Sequence, residues 1–244
     1  ISIGGYYMPG KKLADFGKEV ESYRKAGMAG CKFKVGGLSP AEDAKRVAVA
    51  RKAVGNDFMI CVDANRGWNA QDAIEFARLI EPLNIAWFEE PVSPDNHAGM
   101  AEVRASTRIP IASGEREFSR YGFKSMLDHK AIDIAQPDVA RAGGLTEIRR
   151  IAALTQAHDI RLAPHAWGSG LLFAASIHVA LSAANCHILE VSQGYMPMMN
   201  ELFNEPYDIR DGYVHAPDKP GLGFTLRKDA LERFKYVDGP EYEF

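Results

Sequence analysis

The sequence predicts an α/β fold of the (β/α)8 TIM-barrel type over residues 1–192, with a tail, 193–244, packed outside the barrel. Three observations predict it. Eight short apolar runs alternate with helical patterns from Ile1 to about Ser192, as parallel barrels require. Seven polar residues, Lys34, Asp63, Glu89, Glu115, Asp138, His165 and Glu190, stand where those runs end, at successive gaps of 29, 26, 26, 23, 27 and 25 residues. Each gap is close to one strand-plus-helix unit. After Ser192 the alternation stops and the chain turns rich in Pro, Gly, Tyr and Asp.

The elements follow in order. Ile1 to Gly5 is a short apolar strand ending in glycines, and Leu13, Phe16, Val20 and Tyr23 have helical spacing within Lys11–Ala26, which Gly27 stops. Gly30 to Gly37 is a strand carrying two lysines. Ser39-Pro40 supplies a cap and a first-turn proline for a helix over Ala41–Val54. Strands near Val62, Trp87 and Ile111 precede helices over Ala70–Ile80, His97–Ala105 and Arg120–Leu127. Strand Ile132–Ala135 precedes helix Leu145–Ala157, strand Ile160–Ala163 precedes helix Leu171–Ala183, and His187–Val191 is the eighth strand. Gly143-Gly144 lacks the third glycine of a dinucleotide-binding turn, which argues against an open Rossmann sheet.

Composition narrows the partners. A content of 46% hydrophobic and 25% charged residues is that of an ordinary globular protein, and a net charge of −3 with no concentrated Lys/Arg run argues against nucleic acid. No apolar stretch reaches the ~20 residues that span a bilayer, and the start does not resemble a signal peptide. Cys31, Cys61 and Cys186 lie in or beside apolar runs and read as reduced core residues of a cytoplasmic protein.

In a barrel, the ends of the strands ring one mouth. Asp63, Glu89 and Glu115 would bring three oxygen ligands together there, without cysteine or paired histidine, which suits Mg²⁺, or Mn²⁺ as a substitute, over zinc. A strand-end carboxylate taken singly reads better as a helix cap; three in register favour the metal. Lys32 and Lys34, two apart on one strand, point to the same face, where mutual repulsion and burial let one of them act as a base near neutrality. Cys31, Phe33 and Val35 would pack outward against helices. Asp138 facing His165 would fix the imidazole tautomer and leave its other nitrogen for proton transfer. His97, His129, His158, His178, His187 and His215 match no pattern. A metal flanked by two bases suits removal of a proton α to a carboxylate.

These residues resemble the enolase superfamily, specifically its mandelate racemase subgroup. The resemblance is carried by Lys32-Phe33-Lys34, Val62-Asp63-Ala64-Asn65, Trp87-Phe88-Glu89-Glu90-Pro91, Gly114-Glu115, Gln136-Pro137-Asp138, Pro164-His165 and Leu189-Glu190. It implies the (β/α)7β variant of the barrel, with Mg²⁺ held by Asp63, Glu89 and Glu115. It further implies Lys34 as base tuned by Lys32, His165 paired with Asp138 on the opposite face, Glu190 on the substrate carboxylate and Asn65 beside the substrate. The muconate-cycloisomerase subgroup carries a lysine where this chain has Asp138, which argues against that branch. Family members usually form homo-oligomers and carry an N-terminal capping domain. Because the sequence begins at the first barrel strand, that domain is expected to be absent from this chain, with the tail as the segment that normally returns to it.

The expected reaction is Mg²⁺-dependent dehydration of a small-molecule carboxylate, an aldonate or aldarate, to a 2-keto-3-deoxy acid. Racemisation or epimerisation of a 2-hydroxy or substituted amino acid would use the same ring. Two other classes remain: Lys34 as the Schiff-base lysine of an aldolase-type barrel, or a non-catalytic barrel, which predicts a broken ligand in the ring.

Overall fold

The computed structural model describes residues 1–238; the last six residues of the 193–244 tail lie outside the described residues. Eight parallel strands form one curled sheet: β1 (Ser2–Gly4), β2 (Gly30–Lys34), β3 (Met59–Asp63), β4 (Ile85–Glu89), β5 (Ile111–Ser113), β6 (Ile134–Ala135), β7 (Arg161–Leu162) and β8 (Val191–Ser192). Their spatial order is 7-6-5-4-3-2-1-8, and a parallel bridge between Leu162 and Cys186 brings the two edges together. Between them run seven helices: α1 (Leu13–Lys25), α2 (Pro40–Val54), α3 (Ala70–Ile80), α4 (His97–Ala105), α5 (Ser119–Asp128), α6 (Gly144–Ala157) and α7 (Gly170–Ser182). This is a (β/α)7β barrel.

Local chemistry sets the helix boundaries. Ser39 and Glu42 form a capping box with Pro40 in the first turn of α2, and the side chains of Asn69, Asn96 and Ser169 accept from backbone N–H groups at the starts of α3, α4 and α7. Gly27, at φ +78°, turns the chain after α1 as a left-handed residue can.

The pleat sorts the side chains into two cores. Cys31, Phe33, Ile60, Val62 and Phe88 face outward into the layer shared with the helices, where Phe88 packs on Trp68 and Phe76 with ring centroids 6.1 and 5.3 Å apart. Inside the barrel, Ile1, Cys61, Trp87, Ala112, Ile134 and Ala163 form an apolar floor. Above that floor the interior turns polar.

Register makes the upper layer. Lys34 pairs with Asp63 and Asp63 with Glu89, so three strands present these side chains in one row. An irregularity between Ile60 and Cys61 lets β4 take one extra residue, which aligns Trp87 with Cys61 and Glu89 with Asp63.

The expected eighth strand differs from the observed one. The ladder with β1 occupies Val191–Ser192, and the preceding segment joins the barrel through Leu189 O accepting from Ile1 N at 2.8 Å. Glu190 therefore enters the barrel just before its strand rather than at its end. Side chains from the segment after β8 cover one flank of α7: Phe173 and Ile177 pack with Met199 and Tyr207, and Ala174 packs with Leu202 and Phe203.

Candidate active site

Each functional side chain owes its position to a strand end or the turn after it. Arg46 of α2 is sandwiched between the rings of Tyr7 and Phe16, at 4.1 and 4.5 Å from their centroids, and donates to the carbonyls of Gly5 and Lys34 at 2.8 and 3.2 Å. It ties together the ends of β1 and β2, where Lys34 leaves the sheet. Asn65 and Arg66 turn the chain after β3 with φ of +39° and +69°, and the Asn65 N–H donates to Asp63 Oδ1 at 2.9 Å. Asp138 and His165 are joined twice, by a parallel backbone bridge and by a 2.7 Å contact between His165 Nδ1 and Asp138 Oδ2.

The sequence-derived ring converges. Lys32, fully buried, places Nζ 2.6 Å from Glu89 Oε1, 2.5 Å from Glu190 Oε1 and 3.7 Å from Asp63 Oδ2. Lys34 Nζ lies 2.6 Å from Asp63 Oδ2. His165 Nε2 lies 3.3 Å from Glu115 Oε2. Asn65 adjoins the group through its backbone, with its side chain half-buried. Ligand oxygens of Asp63, Glu89 and Glu115, all buried, lie within 4.8 Å of one another. The three acids are therefore placed where one ion could meet all of them.

Electrostatics tests whether this set fits a divalent cation. Burial raises the Glu89 carboxyl well above its ordinary range, and the charges of Asp63, Glu190 and Glu115 push the same way against Lys32. Glu90 is pushed up to about 7 by burial and then by Glu115 and Asp63. Asp63 is the exception: burial opposes its charge, but Lys34 and Lys32 outweigh it and hold the carboxyl low. Burial and mutual repulsion thus disfavour the anionic forms of Glu89 and Glu90 in the protein alone. Closely spaced oxygen donors whose repulsion a cation would relieve fit a hard divalent ion.

Of the two lysines, Lys32 keeps its proton. Burial does favour its neutral form, but the carboxylates of Glu190, Glu89 and Asp63 outweigh burial and hold its proton more tightly than usual. It serves as a fixed positive charge.

Several residues escaped sequence reasoning. Gln136 Nε2 and Trp87 Nε1 donate to Glu89 Oε2 at 2.6 and 3.1 Å, fixing that carboxylate oxygen. Both stand inside motifs that were recognised, Gln-Pro-Asp and Trp-Phe-Glu-Glu-Pro, so their inward parity was a usable signal. Tyr6, beyond β1, has a buried hydroxyl without a partner and packs edge-on against Trp167 at 5.9 Å. Burial pushes its phenol up to about 12, keeping it a donor. Nothing in the sequence singled it out.

Among the described residues no helix is long and apolar enough to cross a membrane. The family described as "Enolase C-terminal domain-like" matches residues 15–230. The chain is 35% identical over 235 residues to D-galactarolactone cycloisomerase of Agrobacterium fabrum, covering 93% of this chain and 62% of that enzyme. It is 38% identical over 213 residues to L-talarate/galactarate dehydratase of Salmonella typhimurium, covering 87% of this chain and 51% of that enzyme. A mandelate racemase/muconate lactonizing enzyme from a marine actinobacterium, solved in complex with magnesium, superposes with a TM-score of 0.86 at 36% identity, covering 96% of this chain and 64% of that one. The chain therefore spans roughly half to two thirds of the length of these relatives.

Proposed function

The chain belongs to the enolase C-terminal domain-like family, and from that premise we propose that it removes the proton α to a carboxylate, dehydrating an aldonate or aldarate to a 2-keto-3-deoxy acid. The observation that carries this reading is the placement of two basic side chains at opposite ends of the carboxylate row. Lys34 touches Asp63 at one end and His165 touches Glu115 at the other.

Asp63, Glu89 and Glu115 would hold Mg²⁺, or Mn²⁺ in its place, which when bound supplies electrostatic stabilisation of the charge that develops on the substrate carboxylate as the C2–H bond breaks. The positively charged Lys32, with its partner Glu190, would receive that carboxylate, with Asn65 beside the substrate. Lys34, or His165 for the opposite configuration at C2, takes the C2 proton. His165 gives a proton to the departing C3 hydroxyl, which leaves as water, and the enol tautomerises to the 2-keto acid. Asp138 accepts from His165 Nδ1, fixing the tautomer whose Nε2 handles the proton.

Proton NMR in D₂O with Mg²⁺ over a panel of sugar acids is the test. New 2-keto-3-deoxy signals are the expected outcome, abolished in His165→Asn; full turnover by that variant would defeat the assignment. The same two bases also favour a second reading, racemisation or epimerisation, which would put deuterium at C2 without a dehydrated product. A lactone would offer a ring oxygen as the leaving group for the same deprotonation, so lactones belong in the panel. Three free cysteines fit a cytoplasmic setting, and a homo-oligomer is the assembly we infer.

A further inference from the structure

Glu90 follows a proposed ligand in the chain, yet no step of the reaction above uses it. It is fully buried and its Oε1 has no hydrogen-bond partner. Its backbone sits at φ +36°, directly before Pro91, where sterics favour extended backbone. That conformation is held by its N–H donating to Ala112 O at 3.0 Å and by its carbonyl accepting from Arg66 N at 2.9 Å. A strained, buried acid at a site is an outlier that calls for a role.

Arg116 supplies the connection. Its Nε lies 3.5 Å from Glu90 Oε2, and its Nη2 lies 3.2 Å from Glu115 Oε1. One guanidinium therefore bridges a proposed cation ligand and an acid outside the ligand set. Paired with Glu115 alone, that guanidinium would compete with a cation for the carboxylate. A second carboxylate divides its charge.

We propose that Glu90 is a positioning residue of the cation site: it holds Arg116 partly to itself and so keeps the guanidinium from neutralising Glu115. The inference rests on the assignment of Asp63, Glu89 and Glu115 as ligands.

Titration with Mn²⁺, followed by the paramagnetic resonance signal of the free ion, tests this without substrate or turnover. Glu90→Gln should weaken Mn²⁺ binding about ten-fold or more, as Arg116 turns wholly onto Glu115. Adding Arg116→Gln to that variant should restore most of the affinity, which a merely structural Glu90 would not allow, because a second lesion does not repair a damaged fold. Equal affinity of the wild type and Glu90→Gln overturns the inference and leaves the ligand assignment standing. A wild type that binds no Mn²⁺ overturns both. If circular dichroism shows that Glu90→Gln does not fold, Arg116→Gln alone decides: unchanged or tighter binding supports charge sharing, and a ten-fold loss overturns it.

Discussion

Strands β2, β3 and β4 are five residues each and pair along their length, whereas β6, β7 and β8 are two residues each, and β7 meets only the segment that leads to the last strand, through the Leu162–Cys186 bridge. The long strands deliver Lys34, Asp63 and Glu89. The short ones precede or receive Asp138, His165 and Glu190. On the first side the backbone ladder fixes the side chains by register. On the second, side-chain ties do that work: Asp138 with His165, and Asn185 Nδ2 donating to Thr155 Oγ1 and Ile160 O at 3.0 and 2.9 Å. The contrast suits the chemistry. Carboxylates that share one cation need fixed spacing, while a group that hands protons to a substrate needs mainly the right tautomer and reach.

The contrast can be broken by experiment. Glu89→Ala should have the largest effect, because it removes a ligand and strips Lys32 of a 2.6 Å partner. A loss of about 3 kcal/mol in urea unfolding is expected, as for a disrupted buried ion pair, together with loss of Mn²⁺ binding. Undiminished stability would mean that Glu190 and Asp63 alone hold the lysine and that the long-strand side is not built around this pair. Asp138→Asn comes next: turnover should fall by about 10²-fold or more through loss of the required tautomer, with Mn²⁺ affinity unchanged. A matching drop in Mn²⁺ affinity would show that the two sides are one unit. Asn185→Ala should cost only about 1 kcal/mol and speed amide exchange at β7 and β8 while leaving β2–β4 protected. Uniform acceleration around the barrel would erase the distinction.

The same contrast explains what could be read in the sequence. Runs such as Phe58-Met59-Ile60-Cys61-Val62 ending in Asp63 announce both a strand and its functional end, because a strand covered on both faces must be apolar until it reaches the mouth. The eighth strand was misplaced because Ile188 and Leu189 are apolar for another reason: both pack at the barrel's closing seam without joining a regular ladder. Lys32 shows a different limit. Its parity fixes which way it points, but its charge state depends on Glu190, which is 158 positions away in sequence and 2.5 Å away in space. Glu90 was visible in the Glu-Glu doublet, yet only the left-handed turn of its backbone reveals that both carboxylates, not alternate ones, are drawn into the site.

Helix α7 belongs to two neighbours at once. Ala175 and Val179 face the barrel layer, while Phe173, Ala174 and Ile177 face residues that come after the last strand. Its burial is completed only when Phe203, Tyr207 and Phe224 close over it, with Tyr207 edge-on to Phe173 at 4.6 Å. The barrel's final crossover is thus finished from outside the repeat. A chain severed at Ser192 would keep every strand of the barrel and still expose an oily flank, so the smallest unit expected to stay monodisperse in water is longer than the one its barrel topology would draw.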